Sequence, residues 1–215
     1  VFSVSFSPDG TRLAAACADR SVRLFDVATR KQQKLIEDHA DWVMEVAWSP
    51  DGKKLATASR DKTSKVFDAT TGESQSTFNG HGQPVFGVGF LPDGNSVATS
   101  GRDNRIRVWT AADAKQAREI ALGGEVFRIG VLGDGTAFSG SADKFARHHN
   151  LTNGAEVKKF GPHNDWVYAA SYHAASKRVA SGSHDGEVRI WNYDDGKELV
   201  KFTAAPGLAQ PIAAK

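Results

Sequence analysis

The sequence predicts an all-β protein built from five copies of one four-stranded antiparallel unit. Short-turn aspartates recur at Asp19, Asp61, Asp103, Asp143 and Asp185, spaced by 42, 42, 40 and 42 residues. A period near forty marks a repeat architecture. A turn signature keeps the same register: SPDG at 7–10 and 49–52, LPDG at 91–94 and LGDG at 132–135, drifting to HAAS at 173–176. Just ahead of it stands an aromatic or apolar residue each time: Phe6, Trp48, Phe90, Val131 and Tyr172. No segment shows sustained helical periodicity.

The first unit illustrates the elements. Residues 1–7 (VFSVSFS) alternate apolar and small polar side chains, the period of a half-buried strand. Pro8-Asp9-Gly10 turns the chain, because proline presets φ and glycine tolerates positive φ. Residues 13–18 are small and apolar, as expected of a strand covered on both faces. A tight turn at Asp19-Arg20 leads to SVRLFD at 21–26, and the polar strand 31–36 reads as an outer edge, with Lys31 and Lys34 to discourage edge pairing. By the same register the second unit has strands near 42–49, 54–59, 64–68 and 74–78. The third has 84–90, 96–101, 106–110 and 117–120; the fourth has 125–132, 137–141, 145–150 and 156–160. The fifth has 166–173, 178–183, 187–192 and 197–202. The units divide at 1–37, 38–79, 80–121, 122–160 and 161–203. Residues 204–215, with Pro206, Gly207 and Pro211, read as a linker or disordered tail.

Composition narrows the function classes. The 40% hydrophobic and 24% charged fractions are those of an ordinary globular protein. A net charge of +2 gives no general attraction to nucleic acid or anionic lipid. No run approaches the ~20 apolar residues of a membrane span, so no membrane insertion is expected and a soluble, cytoplasmic setting is favoured over others. The single Cys17 excludes an intramolecular disulfide framework; it stands where other units have Ser59, Gly101, Ser141 and Ser183, and reads as a small packed residue. The chain starts at Val1, inside a strand pattern, which suggests a piece of something longer.

Each turn aspartate has companions at fixed offsets. Asp185 has Ser181 four before, His163 twenty-two before and Trp191 six after; Asp103 has Thr99, His81 and Trp109; Asp61 has Thr57, His39 and Phe67. Asp143 keeps Ser139, but His149 fills the aromatic slot and the upstream histidine is missing. Together with Phe25-Asp26, Phe67-Asp68, Trp109-Thr110, Trp191-Asn192 and the Gly80-His81 dipeptide, these residues resemble the WD-repeat family over all of the chain but its tail. The resemblance implies a β-propeller of four-stranded blades around a central channel, here five blades of a ring of about seven. Further blades of the native chain, or a partner, would then cover two open flanks.

In such a blade the Trp191 indole can donate to Ser181, Ser181 to His163, and His163 to Asp185. A fully satisfied buried network of this kind rigidifies a structure. On these terms blades 3 and 5 are the best fastened, blade 2 lacks the indole donor, and blade 4 is the loosest. Ser181, His163 and Asp185 also spell the residue types of a nucleophilic triad, but the set recurs in blade 3 and no nucleophile elbow is present. His148-His149 could suggest a metal, yet adjacent strand residues face opposite ways; no metal or cofactor is expected.

What remains is surface. The resemblance implies a rigid, non-catalytic platform that binds a protein or peptide on the narrow face. Mapped by register, that face carries Trp42, Pro84 and Trp166 from the loops before the first strands, and Arg60, Arg102 and His184 from the turns before the third strands. Trp and Arg are the types enriched at binding hot spots. The repeats and tail also look like those of bacterial multidomain chains, some with cytochrome-like modules, which would make this an accessory domain.

Overall fold

The computed structural model describes residues 1–204, and their only regular structure is strand. All but the first residue of the expected tail lies outside the described residues. Blade 1 comprises β1 (Ser3–Phe6), β2 (Arg12–Ala16), β3 (Val22–Asp26) and β4 (Gln32–Ile36). Blade 2 comprises β5 (Val43–Trp48), β6 (Lys54–Ser59), β7 (Ser64–Asp68) and β8 (Ser74–Phe78). Blade 3 comprises β9 (Val85–Phe90), β10 (Ser96–Gly101), β11 (Arg105–Thr110) and β12 (Gln116–Ala121). Blade 4 comprises β13 (Val126–Val131), β14 (Thr136–Ser141), β15 (Ala146–Asn150) and β16 (Glu156–Phe160). Blade 5 comprises β17 (Val167–His173), β18 (Arg178–Ser183), β19 (Glu187–Asn192) and β20 (Glu198–Thr203). Each blade is its own four-stranded sheet, paired antiparallel in chain order, and every strand lies within a residue or two of its expected position.

The turns follow from local chemistry. In blade 1 the Asp9 carboxylate accepts bonds from Ser7 Oγ (2.5 Å) and Thr11 N (3.0 Å), while Gly10 takes φ 71°. Asp51 repeats this with Ser49 Oγ and Lys53 N at 2.6 and 3.1 Å. A short polar side chain that bonds its own turn replaces the ladder bonds that end with the strand.

The core lies between blades rather than within one. Ala14, Val22 and Leu24 of blade 1 pack on Val46, Trp48, Leu55 and Phe67 of blade 2, all 8% exposed or less. Polar bonds reinforce the contact: Trp48 Nε1 donates to Ser5 O at 2.9 Å, and Arg12 Nη2 donates to Gly52 O at 2.7 Å. The pattern passes along the chain, so β1, β5, β9, β13 and β17 pack side by side as the inner strands of successive blades. Gly140 permits one such approach; a Cβ there would lie 2.6 Å from Val167 O of the next blade.

The end blades differ. Among the described residues, blades 1 and 5 do not pack on one another as consecutive blades do. Val46 and Trp48 are 2% and 8% exposed, whereas their blade 1 equivalents Val4 and Phe6 are 59% and 61% exposed. At Gly182, the blade 5 equivalent of Gly140, an added Cβ meets nothing within 4 Å. Both flanks therefore carry an interblade face without its neighbour.

A second regularity concerns the inner strands. In blades 2 to 5 the pairing of first and second strand skips one residue. The register jumps from Val43 to Glu45, from Val85 to Gly87, from Val126 to Arg128 and from Val167 to Ala169. The unpaired residues are Met44, Phe86, Phe127 and Tyr168. A β-bulge of this kind kinks the strand and re-aims a side chain.

Candidate partner-binding face

The side chains that fasten the face come first. In blade 2, His39 Nδ1 lies 2.8 Å from Asp61 and Nε2 lies 2.7 Å from Thr57 Oγ1. Phe67, fully buried, has no donor to add. Burial works to raise the Asp61 pKa, but the bonds from His39 and Thr63 outweigh it and hold the carboxyl below its ordinary value.

Blades 3 and 5 depart from the expected network, each at a different bond. In blade 3, His81 lies 3.0 Å from Asp103 and 2.9 Å from Thr99. The buried Trp109 indole N–H has no partner, however. Its ring stacks flat on Phe78, with centroids 5.0 Å apart and planes 6° from parallel, and in that pose the nitrogen does not reach Thr99. In blade 5 the indole bond is present, Trp191 Nε1 donating to Ser181 Oγ at 2.7 Å, and His163 Nε2 lies 2.7 Å from the same hydroxyl. There it is the His163–Asp185 bond that is missing. His163 Nδ1 has no hydrogen-bond partner, and the carboxylate that faces it is Glu187, at 3.6 Å. Glu187 is 7% exposed and is held by Arg189 and Lys201. Asp185 turns instead to Ser183 Oγ (2.7 Å) and Glu187 N (3.0 Å).

Blade 4, expected to be the loosest, is fastened by other residues. Arg147, 7% exposed, grips Asp143 with both terminal nitrogens at 2.7 and 2.8 Å and contacts Glu156 at 2.8 Å. His149 Nε2, in the aromatic slot, reaches Ser139 Oγ at 2.9 Å. An arginine and a histidine thus take over bonds that a histidine and a tryptophan make elsewhere. Burial, reinforced by the charge of Arg147, drives the His149 pKa down to about 4.

The geometry bears directly on the triad reading. Ser181 is 2% exposed, the indole occupies its oxygen, and its imidazole neighbour lacks the aspartate that a triad requires behind it. His148 and His149 face opposite ways, the first bonded to Tyr193 Oη at 2.9 Å and the second to Ser139.

The proposed rim residues come together in pairs within each blade. Arg60 N donates to Trp42 O, Arg102 N to Pro84 O and His184 N to Trp166 O, each at 2.9 Å. Trp42 and Trp166 are 40% and 45% exposed. Each rim arginine is already matched by an acid, Arg60 with Asp41 (3.4 Å) and Arg102 with Glu125 (3.0 Å), and His184 Nδ1 lies 3.1 Å from Asp165. The Arg60 guanidinium also lies over the Trp42 ring, 4.7 Å from its centroid. The rim is therefore aromatic and close to neutral, not a basic ring.

Inside the rim lies a group the sequence reading missed. The four bulge residues Met44, Phe86, Phe127 and Tyr168, with Phe2 of blade 1, line one cavity of about 500 Å³. They connect to the rim: Phe2 lies 5.3 Å from Trp42, Phe127 6.1 Å from Trp166 and Tyr168 5.7 Å from His184, ring to ring. The signal was present, since these five positions are large and apolar at the repeat period. What turned Met44, Phe86, Phe127 and Tyr168 to one side, towards Phe2, was the bulge.

Comparison with known proteins places the repeats. The family model described as "WD domain, G-beta repeat" matches residues 1–26, 30–68, 72–110 and 154–192. The stretch it passes over holds most of blade 4, where the histidine and tryptophan are absent. Small ribosomal subunit protein RACK1y of Oryza sativa subsp. japonica is 36% identical over 69 residues, 32% of this chain and 20% of that protein. Apoptotic protease-activating factor 1 of Rattus norvegicus is 32% identical over 77 residues, 35% of this chain and 6% of that protein. The match thus spans a fifth or less of either relative. Among the described residues no helix is long and apolar enough to cross a membrane.

Proposed function

The chain belongs to the WD-repeat family, and from that premise we propose that it is a non-catalytic scaffold that captures a protein or peptide segment on its narrow face. The observation that carries this reading is the pair of half-exposed tryptophans, Trp42 and Trp166, each fixed by a backbone bond to the neighbouring turn. A large aromatic held rigid at the surface loses little conformational entropy on binding. The ion pairs around it, Arg60–Asp41 and Arg102–Glu125, leave little net charge to steer by, so the affinity comes from apolar contact.

Trp42→Ala and Trp166→Ala test the reading. Each is expected to weaken capture of the cognate partner at least tenfold while circular dichroism and the urea midpoint stay near wild type. Undiminished capture in both variants rules the face out. Broad serine-reactive probes are expected to leave the protein unlabelled; labelling at Ser181 would install the hydrolase reading instead.

The same proposal includes the flanks. The open faces of blades 1 and 5 are covered in the working assembly, by further blades or by a partner. Phe6, 61% exposed, is the marker. Phe6→Asp is expected to leave the isolated chain's stability unchanged and to abolish the flank-covering association seen by sedimentation. Persistence of that association in the variant would refute this part.

A further inference from the structure

We propose that the cavity ringed by the inner-strand bulges receives a peptide segment in which a large apolar side chain stands beside a carboxylate. The apolar group enters among Phe2, Met44, Phe86, Phe127 and Tyr168, and the carboxylate meets Arg128. This rests on the scaffold reading above and specifies the partner's chemistry.

The bulges are the first support. Four consecutive blades insert one unpaired residue at the same place, and each inserted residue is Met, Phe, Phe or Tyr. A bulge needed only for strand twist leaves the residue's identity open. Contact with water alone would favour polar side chains at these places, yet Met44, Phe86 and Phe127 carry no polar group and Tyr168 only a hydroxyl. Phe2 and Tyr168 remain 39% and 40% exposed, and contiguous exposed apolar surface marks an interaction site. Phe127 lies 6.0 Å from Phe86 and 4.5 Å from Tyr168, so the wall is partly packed before any ligand arrives. Met44, unbranched and polarisable, lets the opposite side adapt. The volume, about 500 Å³, falls within the range of ligand pockets, ~300–1,000 Å³.

Arg128 supplies the sign of the charge. It lines this cavity and the adjoining one of about 400 Å³ that reaches the open face of blade 5. Its side chain has no hydrogen bond or ion pair among the described residues, unlike Arg60 and Arg102 on the rim. The acid that lines the adjoining cavity with it is Glu45, but its carboxylate accepts the Val88 N–H at 3.0 Å and makes no ion pair with Arg128. Burial moves Glu45 up to about 7 against the pull of the Val88 N–H and of the Arg128 charge, so it answers that charge only in part. An aromatic ring by itself also attracts cations; an unpaired guanidinium in the same cavity reverses that preference. A carboxylate next to an apolar side chain satisfies both walls at once.

The test is calorimetric titration of the whole chain with blocked hexapeptides. Their central dipeptide is phenylalanine-glutamate, phenylalanine-glutamine, phenylalanine-lysine or alanine-glutamate. The phenylalanine-glutamate peptide is expected to bind about tenfold or more tightly than the other three, the scale of a charge-assisted bond. Arg128→Met is expected to bring the glutamate-to-glutamine ratio to about one with an unchanged urea midpoint. Phe127→Ala is expected to weaken all phenylalanine peptides; because it also removes packing on Tyr168, the Arg128 variant is the deciding one. Equal binding of the acid and amide peptides, preference for lysine, absence of binding, or indifference to Arg128→Met each overturns the inference. If a partner's capture depends on Trp42 and Trp166 but not on Arg128, the channel inference falls and the rim reading stands. If capture ignores both tryptophans, the rim reading falls first.

Discussion

Blades 3 and 5 carry the same quartet of residue types at the same offsets, yet each makes only part of the network. Blade 3 keeps histidine to aspartate and loses the indole bond; blade 5 keeps the indole bond and loses histidine to aspartate. The causes lie outside the quartet. Phe78 draws Trp109 into a stack. Glu187, two residues after the turn aspartate, places a buried carboxylate opposite His163; blade 3 has Arg105 at that position, directed outward to Glu119 at 2.9 Å. A motif specifies which bonds are available, and its neighbours decide which are made.

The comparison breaks most sharply at the histidines. His81→Ala removes bonds to both Thr99 and Asp103 and opens space beside Phe78, so it is expected to cost about 3–4 kcal/mol. His163→Ala also opens space, beside Trp191, but removes only one bond and leaves Ser181 with its indole donor, for about 2–3 kcal/mol. Urea unfolding of the two variants side by side checks the gap, and equal losses would mean that the broken bond in blade 5 forms after all.

Acid is expected to weigh most on blade 4. The His149 pKa is about 4 in the folded chain against 6.5 ordinarily, so the unfolded chain binds the extra proton between those values. That contribution, about 3 kcal/mol, is fully present above pH 6.5 and is lost as pH falls from 6.5 towards 4. Asp61 and Asp103 are lowered, so theirs is present above the ordinary carboxylate pKa of 3.8 and disappears only below it. Thermal melts across pH are expected to fall in two stages, and His149→Gln to shrink the upper one, with His148 and His163, which burial also lowers, carrying the remainder.

At the aromatic position the effects are smaller and of unequal size. Trp191→Phe leaves Ser181 short of a donor and is expected to cost about 1–2 kcal/mol. Trp109→Phe deletes a buried N–H that has no partner, so relief there offsets lost volume and the net change stays under about 1 kcal/mol. Smallest of all, Glu187→Thr gives blade 5 the residue that blade 2 carries as Thr63. It is expected to let Asp185 engage His163, seen as a hydrogen-bonded Nδ1 signal in nitrogen-15 spectra, with stability within about 1 kcal/mol of wild type.

Much of the architecture was legible because strand period, turn chemistry and copy number all repeat. SPDG and its variants end the first strands, and the small residues of the second strands sit under the next blade. The rim pairs could be placed by register alone. Their neutrality could not: Asp41 and Asp165 stand beside Trp42 and Trp166, and Glu125 holds the blade 4 place equivalent to Pro84, but only folding decides which arginine or histidine each one meets. Arg147 was equally visible in the chain, but only folding brings it against Asp143 in place of the missing histidine.

The chain's own order of residues determined the five four-stranded units, their antiparallel pairing and which side chains can bond, because each depends on spacing along the strand and on local turn geometry. Tertiary structure alone decided which of those bonds form, which flank faces lack a neighbour and what the channel presents. A single skipped residue in the inner strands of blades 2 to 5 reverses the direction of a side chain, and that skip arises from how two strands align, a property that neither strand carries by itself.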